Sequence, residues 1–254
     1  MNSDSTTDRL VKSDETLLAI IEEVRDANGI GVTTLANKLN LAKSSVHSHL
    51  KTMQSHGFIV KRNGKYHLGL ELFRYGQYTR IERDVYSAAF PVLNQIAADT
   101  GESSWLMTHE NGRLMYLDGR DPNDEINVNA LIGSWEHMHV NSGGKVILAH
   151  LPDEKTTEII EESGLPKQTE NSITDPEELT EELNQARDQG YALNLGEGIR
   201  EMNAVAVPLI SQDTVRGALA VAGPAYRVDK ERCEGELLDR LRAAADDIGL
   251  NLVY

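Results

Sequence analysis

The sequence predicts an α+β protein of two domains, a small helical domain closed by a hairpin and a larger domain mixing helices with strands. Three observations predict it. A length of 254 residues suits about two domains at ~100–200 residues each. Charge divides the chain: residues 1–80 hold 11 basic and 8 acidic side chains and the rest hold 14 and 32, so a +3 portion precedes a −18 portion. The hydrophobic period is helical up to His56-Gly57 and becomes mixed past Thr100-Gly101.

Ser13 is placed to cap a first helix over 14–27, with Leu17, Leu18, Ile20, Ile21 and Val24 as its apolar face and Asn28-Gly29 as its stop. A second helix, 33–39, puts Leu35, Ala36 and Leu39 on one face, and Asn40-Leu41 turns the chain into a third from about Lys43. In that third helix Val46, Leu50 and Met53 recur at helical spacing and point inward. Ser44, Ser45, His47, Ser48, Lys51 and Thr52 are left outward, and His56-Gly57 closes the helix. Strands at 58–62 and 66–68 flank Asn63-Gly64-Lys65, where Asn-Gly is the strongest short signal for a tight hairpin. Three helices and a hairpin with Lys61, Arg62 and Lys65 at its tip make a winged helix-turn-helix.

The 43 residues from Asn28 to Leu70 contain six lysines and arginines, four of the eight histidines and no carboxylate, inside a chain of net charge −15. Excluding acids from one contiguous stretch prepares it for a polyanion, and double-stranded DNA comes first. Small hydroxyls, an imidazole and ammonium groups on the third helix suit a major groove: Lys43, Ser44, Ser45, His47, Ser48 and Lys51, with Thr33 from the second helix. Lys61, Arg62 and Lys65 suit phosphates. The rival reading is an adaptor whose winged helix docks on a protein partner.

Residues 71–98 read as a helical linker in which Pro91 opens a new helix. Strands are expected at 104–109, 113–118 and 125–132, then helices at 144–150, 153–163 and 175–189. Strands follow at 191–195, 204–209 and 215–221, and a closing helix at about 229–250. The expected organisation is a flexible tail (1–12), the winged helix (13–70), the linker (71–98) and an α/β domain (99–254).

No apolar run approaches the ~20 residues that cross a bilayer, and Met1 to Asp8 is polar and acidic, so a cytoplasmic protein without membrane contact is expected. Cys233 is the only cysteine, which excludes an intramolecular disulfide and a cysteine-based zinc cluster. Acidic excess, 15 Arg to 10 Lys and 5% aromatic residues point to a surface kept hydrated in concentrated salt, and so to a halophilic host. His137 and His139, with Glu136 or His150 nearby, lack an assigned third ligand, so no metal is expected. Gly143-Gly144-Lys145 lacks the first glycine and the Ser/Thr of a Walker loop, and no Gly-x-Ser-x-Gly occurs. Neither an enzyme nor a cofactor is expected.

Four separated stretches carry a family likeness: Lys43-Ser44-Ser45-Val46-His47; Pro91 to Gly101, running into Thr100-Gly101-Glu102; His139 to Ala149, containing Gly144-Lys145; and Gly190 to Gly223. In their order and spacing, from Ser13 to the C-terminus, the chain resembles the IclR family of transcriptional regulators, in a haloarchaeal type. The resemblance implies a winged helix on operator DNA, a linker helix and a GAF-like domain that binds a small effector, a sugar-derived or aromatic catabolite. It also implies a homodimer or dimer of dimers and control of a catabolic operon. It maps the effector site to Ser142 and Gly143, facing Asn194, Ala204, Ala220 and Ala222. The chain departs from the family pattern at Ala204, where Cys is frequent, and at Ala220 and Ala222, where Ser is. It also has Glu201 in place of Gly and Ser48 in place of Arg. Such a pocket offers fewer donors than one built for a small oxoacid.

Overall fold

The structure, a computed structural model, describes residues 10–251. The chain divides into two compact units, Met1–Thr79 and Arg80–Tyr254. Most of the expected tail lies outside the described residues. Among those described, no helix is long and apolar enough to cross a membrane.

The first unit contains α1 (Lys12–Asp26), α2 (Val32–Lys38), α3 (Lys43–Ser55), a hairpin of β1 (Ile59–Arg62) and β2 (Lys65–Leu68), and most of α4 (Leu70–Ile81). Ser13 is not the cap of α1. Val11 holds that position, and Ser13 Oγ instead donates to Asp14 Oδ1 at 3.2 Å. Ile20 and Val24 reach the core while Leu18 turns to solvent, because one face of a helix spans only about a third of its circumference. Val46, Leu50 and Met53 close that core from α3, with Leu35, Ile59 and Tyr66 opposite. The hairpin turns on Asn63 (φ 50°) and Gly64 (φ 79°), the doubly left-handed geometry that Asn-Gly favours.

The second unit is a six-stranded antiparallel sheet in the order β5-β4-β3-β8-β7-β6. Its strands are β3 (Ser103–Glu110), β4 (Arg113–Arg120), β5 (Trp135–His137), β6 (Ala192–Leu195), β7 (Met202–Ser211) and β8 (Thr214–Pro224). One face carries α5 (Asp84–Thr100) and the closing helix, packed on Leu106, Val205, Val207, Leu219 and Val221. The other face carries α7 (Ser142–His150) and, following α8 (Asp153–Ser163) in the chain, α9 (Pro176–Gln189), packed on Trp105, Met107, Ala206, Ala218 and Ala220. The two-residue alternation along β7 and β8 therefore sends Val and Leu to one side and Ala to the other. Small residues let α7 sit close to the sheet.

Four expectations are corrected. Pro91 lies inside α5 rather than opening a helix. It and Ser87 are both exposed, so the carbonyl that loses its partner faces water. Because α5 supplies Val85, Ala89, Leu93 and Ile96 to the core, it is a layer of the second unit and not linker. Residues 125–132 form a loop and the short α6 (Val128–Leu131), and the edge strand is Trp135–His137. The closing helix is interrupted at Gly235 (φ −104°, ψ −107°), with α10 (Lys230–Arg232) before the break and α11 (Leu238–Asn251) after it.

Candidate functional site

Two surfaces carry chemistry, one in each unit. In the first, Thr33, Lys43, Ser44, His47, Ser48 and Lys51 are exposed and Ser45 is half-buried, while Lys61, Arg62 and Lys65 are exposed on the hairpin. The burial of Val46, Leu50 and Met53 turns these side chains outward. Ser48 Oγ donates to Ser44 O at 3.0 Å and Thr52 Oγ1 to Ser48 O at 3.1 Å, which spends the hydroxyl protons on the helix and leaves acceptor lone pairs outward. Of the six basic residues in the acid-free stretch, Lys38 pairs with Glu23 at 2.6 Å. Among the described residues, Lys43, Lys51, Lys61, Arg62 and Lys65 form no salt bridge, so their charge is uncommitted. Lys61 Nζ lies 5.2 Å from the ring centre of Tyr66, its register partner on β2, which holds the two strands of the hairpin together near its tip.

In the second unit a cavity of about 170 Å³ opens between the sheet and the start of α7. Five of the six residues assigned to an effector site line it: Ser142, Asn194, Ala204, Ala220 and Ala222. Gly143 does not. It packs behind the wall, where an added Cβ would meet the Met107 side chain. Asn194 is partly engaged, since its Nδ2 donates to Val140 O at 2.9 Å and its Oδ1 accepts from Glu197 N at 2.8 Å. Alanine at 204, 220 and 222 sets the floor of the cavity, while Ala206 and Ala218 pack beneath α7.

Sequence reasoning missed the polar part of the wall. Tyr116 Oη donates to Glu136 Oε2 at 2.8 Å, and Asn141 Nδ2 donates to Tyr116 Oη at 2.8 Å and to Glu136 Oε2 at 3.3 Å. Burial, reinforced by the Glu136 charge, pushes the Tyr116 hydroxyl above its ordinary range, so it stays a donor. Asn141 also caps α7, its Oδ1 accepting from Gly143 N at 2.9 Å. Trp105 is held in the wall by Nε1 donating to Ser103 Oγ at 3.0 Å, and Gly119, its register partner on β4, leaves room for the indole. Only tertiary pairing brings these groups together.

Lys145, which the sequence placed beside a failed phosphate loop, is buried. Its Nζ donates to Glu197 Oε1 at 2.7 Å and to Glu182 Oε1 at 3.0 Å. Burial pushes the Glu197 carboxyl above the usual range against the pull of Lys145, and Glu197 Oε2 has no partner among the described residues. A lysine inside the apolar run Val146-Ile147-Leu148-Ala149 was the available signal, because a buried ammonium demands a carboxylate.

His137 and His139 stack edge to face with ring centres 5.7 Å apart, and His139 Nε2 lies 3.1 Å from Pro166 O. Burial lowers the His139 pKa. Among the described residues, no group of three or more His, Cys, Asp or Glu is placed to hold a metal ion.

The family model described as "Bacterial transcriptional regulator IclR C-terminal" matches residues 78–250, and that of the "IclR helix-turn-helix domain" matches 17–63. A curated relative, the probable HTH-type transcriptional regulator ArcR of Halobacterium salinarum, is 27% identical over 92% of this chain and 90% of its own. Among solved structures, the IclR of Thermotoga maritima superposes with a TM-score of 0.79 at 26% identity, covering 96% of this chain and 98% of that one. An IclR homologue of Microbacterium hydrocarbonoxydans, solved with 4-hydroxybenzoate, superposes at 0.82 with 21% identity over 94% and 98%.

Proposed function

The chain belongs to the IclR family of transcriptional regulators, and from that premise we propose that α3 and the hairpin read an operator while the cavity of the second unit senses a small catabolite. The observation that carries the DNA half is the set of five uncommitted cations on α3 and the hairpin, in a stretch without a carboxylate. Lys43, Ser44, Ser45, His47, Ser48 and Lys51 meet base edges and adjacent phosphates in the major groove, Thr33 supports them from α2, and Lys61, Arg62 and Lys65 hold phosphates. Ser142, Ala204, Ala220 and Ala222 bound the effector, with Asn194 and Gly143 holding the wall in place. The 4-hydroxybenzoate bound by the Microbacterium homologue supports the size of the ligand, a compact catabolite of sugar or aromatic origin, and not its charge.

The regulator acts in the cytoplasm as a homodimer or dimer of dimers. Helix α4 supports this, because it has no buried residue and exposes Leu70, Phe73 and Tyr78. Two α3 helices would then address the half-sites of a pseudo-palindrome. The effector controls a catabolic operon by favouring one of two arrangements that differ in DNA affinity.

The test is fluorescence anisotropy of the full chain on its own upstream DNA, with unrelated DNA as competitor. Saturable binding that survives competition is expected. The Lys61→Ala/Arg62→Ala/Lys65→Ala variant should lose affinity on all sequences and flatten the log-log salt slope by about 2.7, at ~0.9 per phosphate contact. A folded protein that binds no DNA above competitor would overturn the reading in favour of a protein-docking adaptor.

A further inference from the structure

The charge on the cavity wall has one sign. No Arg, Lys or His lines it, and Glu136 is its only ionisable carboxyl. Tyr116 and Asn141 both donate to Glu136 Oε2. Among the described residues Oε1 accepts no hydrogen bond, and it lies on the side of Gly198, another lining residue, where an added Cβ would stand 3.7 Å away. The other polar groups are partly engaged. Asn194 Nδ2 donates to Val140 O and its Oδ1 accepts from Glu197 N, and Asn203 Nδ2 donates to Val228 O at 2.8 Å. The Ser142 hydroxyl makes no hydrogen bond among the described residues and can act either way.

Two positive groups lie near the cavity, Lys145 and the start of α7. Lys145 is not in the wall and sits between Glu197 and Glu182. At the start of α7, the Gly143 N–H is taken by Asn141 Oδ1 and the Lys145 N–H by Asn141 O. The remaining surface is apolar: Trp105, Met107, Val140, Ile199 and Met202 with the three alanines. Its volume matches a compact body, since an engineered apolar cavity of about 150 Å³ takes up benzene.

We infer that this cavity takes a small neutral or cationic ligand, with an apolar body and an amine or hydroxyl donating to Glu136, and rejects carboxylates. The inference rests on the reading of the cavity as the effector site and assigns its ligand chemistry. A carboxylate there would face the Glu136 charge with no cation in the wall to offset it, whereas a donor completes the open Glu136 Oε1.

The test compares three probes of one shape, benzylamine, benzyl alcohol and benzoate, by titration calorimetry on the full chain. Benzylamine and benzyl alcohol should bind at least tenfold more tightly than benzoate. Glu136→Gln keeps the Tyr116 acceptor, removes the charge and should bring benzylamine and benzoate to within about threefold. Ala204→Leu fills the cavity and should abolish binding of all three. If benzoate binds as well as benzylamine, or the discrimination persists in Glu136→Gln, the ligand chemistry is overturned. Loss of that binding in Ala204→Leu would still leave the cavity as the effector site. If no probe binds, or Ala204→Leu changes nothing, the cavity reading falls together with the inference.

Discussion

Replacing Lys145 by Met should be the most destabilising conservative change in the second unit. Lys145 is 1% exposed, and its Nζ holds Glu197 at 2.7 Å and Glu182 at 3.0 Å. Glu182 is partly exposed and can turn to water, but Glu197 is buried and its Oε2 already lacks a partner among the described residues. Met fills a similar volume, so the loss is electrostatic rather than a cavity. Removing one partner of a buried pair costs ~3–5 kcal/mol, because the other is left charged in a poor dielectric. At ~2–4 °C per kcal/mol for a unit of 150–250 residues, the melting temperature should fall by roughly 6–20 °C. Urea unfolding followed by tryptophan fluorescence reports the second unit alone, since Trp105 and Trp135 both lie there, and urea keeps ionic strength constant. Lys145→Met/Glu197→Met should recover most of the loss, as apolar replacements of buried pairs are often neutral or better. A single-variant loss below about 1 kcal/mol, or a double variant as unstable as the single, would refute the reasoning.

Four further outcomes follow from the same geometry. Burial holds the Glu197 pKa above its unfolded value, so its contribution is fully present below the unfolded pKa and is lost as pH rises through the folded one. The stability of wild type relative to Glu197→Gln should therefore decline as pH is raised from about 4.5 towards neutrality, and a flat or rising difference in urea titrations would contradict it. Gly119→Ala drives a methyl into the Trp105 ring and should cost ~1–3 kcal/mol while shifting the tryptophan emission; unchanged spectra would show that the indole has room to move. His47→Ala should cost more specific DNA affinity at molar KCl than Lys65→Ala, because base contacts outlast screened phosphate contacts, and equal or reversed losses would count against α3 as the reading helix. Burial pushes the Cys233 thiol up to about 12, so iodoacetamide should label it only on unfolding, and rapid native labelling would argue for local opening around Gly235.

The winged helix was legible because its signals are local. Val46, Leu50 and Met53 are three and four residues apart, and Asn63-Gly64 selects its turn without help from the rest of the chain. The second unit was less so. Ile126, Val128, Ala130 and Ile132 alternate as a strand would, yet the segment forms a loop and one helical turn that place Ile126 and Leu131 at the cavity. Pro91 reads as a helix start, but burial of Val85, Ala89, Leu93 and Ile96 outweighs its ~3 kcal/mol cost on the exposed face. Glu136, Tyr116 and Asn141 come from β5, β4 and the turn into α7, and only the sheet order joins them. A resemblance located the alanine floor of the cavity. The carboxylate opposite needed coordinates.

The tethers of residues 196–201 tie the cavity wall to the buried ion pair. Glu197 is held on three sides: its N–H donates to Asn194 Oδ1, its carbonyl accepts from Ser172 Oγ at 2.8 Å and Thr169 Oγ1 at 3.1 Å, and its carboxylate meets Lys145. The next two residues, Gly198 and Ile199, line the cavity, and Ile199 is exposed. The floor has no comparable freedom, since β3, β8 and β7 are hydrogen-bonded to one another through the middle of the sheet and covered on both faces. Movement of Ile199 therefore reaches Glu197, two residues back, before it reaches the sheet. The buried ion pair then has two consequences from one geometry: it stabilises the domain by matching an otherwise unpaired carboxylate, and it sets how far the loop can yield. Asn194 belongs to the same device, since its amide bridges Val140 at the entry to α7 and Glu197 in the loop and so ties the two walls together.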